Sequence, residues 1–278
     1  MGGDNVVIPV VKLSGAIMAG GSALRPALNL GSCAGRLHKA FGMKDAPAVA
    51  IVINSPGGSP VQSRLIYRRI RDLAKEKNKK VHVFVEDAAA SGGYMIACAG
   101  DDITADPSSI VGSIGVISAG FGFEDAIKKH GVKRRVHTAG QNKSVMDPFL
   151  PEKKEDIVRL KALQLDIHKV FIDLVKESRG DRLANNKDMF TGLFWTGIPG
   201  KELGLVDAIG DILSSLKARY GAKTKLKLIE SKKGLFGGRS SSGIAQSFAM
   251  DGELLASGLA DGLVNTLEEK ALWSRLGL

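Results

Sequence analysis

The sequence predicts an α/β fold around a mainly parallel sheet, and three observations carry that reading. Val6 to Leu13 and Ala48 to Asn54 are short apolar runs without polar alternation, the pattern of strands covered on both faces. After Pro56-Gly57-Gly58 comes a helix whose apolar positions Ile66, Ile70 and Leu73 repeat at helical spacing, with Arg68, Arg69, Arg71 and Lys75 on the other face. Val81 to Val85 then reads as a third strand. Alternation of this kind implies right-handed crossovers packed onto one sheet.

The later elements follow in order. Ser91 through Ala99 reads as a short helix of small residues. Ile114–Ser118 is expected as a strand, Glu124–His130 as a helix closed by Gly131, and Val132–Thr138 as another strand. Pro151 opens one long helix over Glu152–Ser178, stopped at Gly180, with Ile157, Leu160, Leu163, Ile167, Val170 and Leu174 on a single stripe. The stretch from Trp195 to Gly210 carries a short helix and a strand at Leu205-Val206, and Ile212–Tyr220 is a further helix.

From Lys217 to Arg239 the chain is basic apart from Glu230 and ends in a Gly/Ser run to Gly243. We therefore expect a domain over 1–230, a flexible linker over 231–243 and a C-terminal amphipathic arm over 244–278. Leu255, Leu259, Leu263 and Leu267 form the arm's apolar stripe, but Gly252, Gly258 and Gly262 each weaken an isolated helix by about 1 kcal/mol. Such an arm needs a surface to lie on, that of its own subunit or of a neighbour.

Bulk properties exclude several function classes. The chain has 278 residues, 44 % hydrophobic and 24 % charged, ordinary for a protein with a buried core. Aromatic residues are 5 %, too few for stacking-based nucleic-acid binding. A net charge of +10 allows peripheral contact with an anionic membrane surface. Cys33 and Cys98 make neither a disulfide scaffold nor a metal site. The N-terminus lacks signal-peptide features and no run is long enough for a membrane span, so a cytoplasmic location is expected. There is no phosphate-cradling or dinucleotide motif, and no cofactor is called for.

The chemistry concentrates in three places. In Ala89-Ala-Ser91-Gly-Gly-Tyr94 a serine sits at a strand-to-helix junction, where backbone N–H groups favour developing negative charge. Gly92 offers one such N–H, and the Gly57-Gly58 turn offers a second oxyanion donor. A serine hydroxyl also needs a base. Lys143, in the turn-like Gly140-Gln-Asn-Lys143-Ser144, is the candidate. An unperturbed lysine titrates near ~10.4, so its surroundings must destabilise the ammonium by roughly 3–4 kcal/mol before it can accept a proton. The five histidines, His38, His82, His130, His137 and His168, are rivals for that role, and nothing in the sequence singles one out.

In combination, Asn54-Ser-Pro-Gly-Gly58, Ala89 to Tyr94, Gly112-Ser-Ile-Gly-Val116, Gly140 to Ser144 with Pro148-Phe149, and Gly204-Leu-Val-Asp207 resemble the signal peptide peptidase A family, peptidase family S49, in its short single-repeat form. The match runs from about Val6 to Ile212. The resemblance implies the Clp protease/crotonase-like fold of repeated ββα units. It implies Ser91 as nucleophile, Lys143 as general base and Ser113 as the group that orients the lysine. It further implies extended or membrane-derived peptides as substrates, and a homo-oligomeric ring in which the lysine reaches a neighbour's serine. Two other readings stay open: a crotonase-like enzyme binding acyl-CoA, and an assembly protein without turnover.

Overall fold

The structure is a computed structural model that describes residues 6–20, 27–230, 266–267 and 269–278. The first half contains β1 (Val7–Ser14), α1 (Leu30–Phe41), β2 (Ala48–Ser55), α2 (Pro60–Lys77), β3 (Lys80–Ala90), α3 (Gly92–Ala97), β4 (Asp102–Ala105) and β5 (Ile110–Gly112). The second half contains α4 (Glu124–Lys129), α5 (Lys154–Arg179), β6 (Phe194–Trp195), α6 (Gly197–Glu202), β7 (Ala208–Ile209), α7 (Ile212–Tyr220) and β8 (Lys225–Leu228).

The apolar runs form the centre of the sheet, in the order β6-β5-β3-β2-β1-β8 with β4 and β7 branching from β3. All pairings are parallel except β5 with β6. The continuous hydrophobicity of β2 has a direct cause. One sheet face packs Val49, Ile51 and Ile53 against Leu37, Phe41, Ile66 and Ile70 of α1 and α2. The other packs Ala48, Ala50 and Val52 with Ile8, Val10 and Phe84 beneath Leu216 of α7.

β3 forks, and the fork makes room for the site. His82–Val85 pairs with β4, whereas Ala88–Ala90 pairs with β5. Side chains seal the backbone groups freed between them. Asn54 Oδ1 accepts from the Ala88 N–H at 3.2 Å, and Ser109 Oγ donates to the Glu86 carbonyl at 2.5 Å.

Several expected elements move. Ile114–Ser118 and Val132–Thr138 are not strands, and Leu205-Val206 is buried chain with the strand at Ala208–Ile209 instead. Residues 132–138 are exposed, with no strand to pair with among the described residues, so their apolar character alone does not make a sheet. The strands of that region lie earlier, in β4 and β5, which are too short to show a period. β8 arises inside the basic run because Lys225, Leu226, Lys227 and Leu228 alternate. Of the expected long-helix stripe only Leu174 is buried, packed with the off-stripe Phe171 and Val175, while Leu163 is 60 % and Val170 47 % exposed. The expected linker and the arm's Leu255, Leu259 and Leu263 lie outside the described residues.

The Gly204 to Asp207 motif anchors α5 to the sheet. Arg179, fully buried, donates two parallel hydrogen bonds of 2.9 Å to the Asp207 carboxylate and a third of 2.9 Å to the Gly204 carbonyl. Burial raises the Asp207 pKa, but the hydrogen bonds and charge of Arg179 outweigh it and hold the carboxyl below its ordinary 3.8. The pair therefore contributes fully above that value and is lost as pH falls through the lower folded-state value. Arg179→Ala leaves a partly buried carboxylate without its main partner. We expect a loss of about 3–5 kcal/mol, read from denaturant unfolding at neutral pH, and a smaller loss where Asp207 is protonated.

Candidate active site

Ser91, the residue between β3 and α3, has φ +51°, a left-handed conformation that a residue with a Cβ adopts only under constraint. The constraint is visible. Its N–H is tied to the Gly112 carbonyl at 2.8 Å, and α3 begins at the next residue. The side chain makes no capping bond and is half-buried.

The Pro56-Gly57-Gly58 turn abuts this elbow. A Cβ on Gly57 (φ +103°) would lie 2.7 Å from Ser91 Cβ and 2.9 Å from the Gly92 nitrogen, so only glycine fits. One expectation needs correction here. The Gly57 N–H donates to Ser55 Oγ at 3.2 Å and is not free to serve an oxyanion. The Gly58 N–H donates to no group among the described residues: its bridge to Ile17 uses the Gly57 carbonyl and the Ser59 N–H instead. Gly92, as first residue of α3, has no intrahelical acceptor for its own N–H.

Ser113 follows β5, which pairs with the end of β3 through Ala90 and Gly112, so the two serines stand on neighbouring strand ends. Ser113 is also left-handed, at φ +53°, with its N–H held by the Leu193 carbonyl at 2.7 Å. Both serines line one cleft of about 270 Å³ together with Gly58 and Gly92. Met95, Ile117, Ile167, Phe171 and Phe194 form its apolar wall. The sequence reading missed these wall residues, whose only signal is apolar character shared with the core.

Lys143 does not join them. It is exposed in the turn after Gly140, with its N–H on the Gly140 carbonyl at 3.2 Å, and lines no part of the cleft. That turn is fastened to α5 by Arg159, which donates to Asn142 Oδ1 at 2.6 Å. Arg134, nine residues before the lysine, is paired with Asp147 at 3.0 Å. Among the histidines, His82 is buried between Asp102 (2.8 Å) and the Tyr220 hydroxyl (2.7 Å), away from the cleft. His168 Nε2 lies 3.0 Å from the Ile114 carbonyl, which it steadies as a donor. Cys98 is buried, and that burial pushes its thiol up to about 12, so it packs rather than reacts.

A family model described as peptidase family S49 matches residues 73–224, a span that contains Ser91, Ser113 and Lys143. The chain belongs to peptidase family S49. Among S49-related proteins, the chloroplastic serine protease SPPA of Arabidopsis thaliana is 31 % identical over 196 residues, covering 67 % of this chain and 28 % of its own length. A chain named Na(+)/H(+) antiporter NhaA in Brucella melitensis is 64 % identical over 272 residues, which is 98 % of this chain and 37 % of that one. The chain thus spans little more than a third of the length of that relative. The 1510-N membrane-bound stomatin-specific protease superposes with a TM-score of 0.51 at 15 % identity, covering 82 % of this chain and 98 % of that structure. That likeness gives the fold, the Clp protease-like α/β architecture expected for S49. Among the described residues no helix is long and apolar enough to cross a membrane.

Proposed function

We propose that this S49 chain is a serine endopeptidase that cleaves extended peptides through an acyl-enzyme, with Ser91 as nucleophile and Lys143 of an adjacent copy as general base. The observation that carries the reading is the strained Ser91 elbow, opening with Ser113 into a cleft beside the Gly58 and Gly92 N–H groups. In the first step Ser91 Oγ bonds to the scissile carbonyl carbon while its proton passes to the lysine amine. The tetrahedral oxyanion takes hydrogen bonds from Gly58 and Gly92. Collapse breaks the C–N bond, and the leaving amine takes the proton back from the lysine. Water then attacks the ester with the same base, freeing the acid and Ser91.

The assembled copy is part of the reading because one chain does not bring the base to the serine. Ile117, Phe121, Val158, Leu163 and Leu165 are all more than half exposed on the segment that carries Lys143, a surface suited to a second copy. Seated there, the neighbour would desolvate the amine, and Ser113 Oγ would orient it. We take the antiporter name of the Brucella relative to describe the part of that chain outside the match.

The test is a panel of unstructured peptides incubated with the full chain. We expect cleavage that rises with pH as the base loses its proton and that disappears in Ser91→Ala. Cleavage that survives in Ser91→Ala, or thioester binding without any peptide cleavage, would overturn the reading.

A further inference from the structure

The cleft is not lined by the catalytic domain alone. Leu272, Arg275 and Leu276, far along the chain, form part of its wall together with Ser91 and Ser113. Residues 269–274 are helical, and half-buried positions recur at Thr266, Glu269, Leu272, Trp273 and Leu276, one helical face turned onto the body. The contact extends beyond the cleft: a Cβ on Gly15, just past β1, would lie 3.6 Å from Glu269 Oε1. Leu267, the last member of the stripe expected from sequence, is 66 % exposed, so the face that docks is rotated from the one the leucine spacing suggested.

We infer that this helical segment is an intramolecular occupant of the substrate groove, an autoinhibitory strap that must leave before a peptide can reach Ser91. The inference rests on the peptidase reading and adds a regulator to it. The wall that the strap leucines complete is made of Met95, Ile117, Ile167 and Phe171, the apolar surface an extended substrate would otherwise cover. Occupant and substrate therefore compete. A strap that is open one-tenth of the time raises the apparent KM about tenfold and leaves kcat unchanged.

The experiment uses the full chain with Leu272→Glu and Leu276→Glu combined, compared with the unsubstituted chain. For a short peptide substrate we expect KM to fall about tenfold at constant kcat, and a synthetic peptide of residues 266–278 to restore the original KM when added to the double variant. Amide hydrogen exchange provides a readout that needs no activity. Exchange at Gly92–Met95 and Gly115–Ile117 should rise in the double variant while β2 and β3 stay protected, which also reports an intact fold. Unchanged exchange at the cleft, or unchanged KM in a chain that cleaves, overturns the strap. Absence of cleavage from both chains with exchange raised as expected would instead overturn the peptidase reading and leave the strap standing.

Discussion

Ser91→Ala is expected to lower peptide cleavage by at least about 10⁴-fold, toward the order of 10⁶ seen when a serine protease loses its nucleophile. The fold should not notice. The Ser91 side chain makes no capping hydrogen bond, and alanine keeps the same backbone demand at φ +51°, so the elbow is neither relieved nor further strained. A thermal melt within a degree or two of the unsubstituted chain, with turnover gone, separates chemistry from stability. A drop in melting temperature that accompanies the loss would mean that the serine is a structural residue of the turn. Ser113→Ala sharpens the comparison. If Ser113 only orients the base, its loss costs far less than that of Ser91 and changes the pH profile as well as the rate.

How legible this was from the residues differs between parts of the molecule. Strands β1, β2 and β3 and helix α2 were readable because each is long and its apolar pattern matches the layers that cover it. β4 and β5 were not, since four and three residues carry no measurable period. Ile114–Ser118 and Val132–Thr138 misled for the opposite reason: they hold strand-like residues but pair with no strand among the described residues. The serine elbow was legible because few structures other than a close backbone approach need small residues on both sides of Ser91. Gly57 was misjudged in role, since its N–H goes to Ser55 Oγ. No spacing rule connects that glycine with a side chain two residues back. Arg179 was invisible as an anchor. Its burial depends on Asp207, 28 residues on, and only the fold brings the two together. The amphipathic arm expected over 244–278 is described only near its end, where Leu267, the last leucine of the expected stripe, is 66 % exposed.

Lys143→Ala should be as silent as Ser91→Ala, and mixing the two variants decides where the base comes from. Within one chain the lysine is exposed on a turn bound to α5, and the cleft wall does not include it. A base supplied by the next subunit makes each site the property of a pair, as a head-to-tail closed assembly requires. When the two inactive proteins are dissociated, mixed in equal amounts and reassembled, a working site needs a Lys143→Ala chain to supply Ser91 and a Ser91→Ala neighbour to supply Lys143. Random assembly gives that arrangement at about one site in four, so roughly a quarter of the original activity should return. If serine and lysine instead meet within a single chain after a movement of the turn, no mixture recovers anything, because every chain lacks one of the two groups. Recovery near a quarter also means that the turn carrying Lys143 in one copy reaches the cleft of the next, which brings the exposed apolar residues Val158, Leu163 and Leu165 near that contact. Replacing Leu163 and Leu165 there by glutamate should then abolish both assembly and activity in an otherwise unsubstituted chain, measured by sedimentation and peptide cleavage on the same sample.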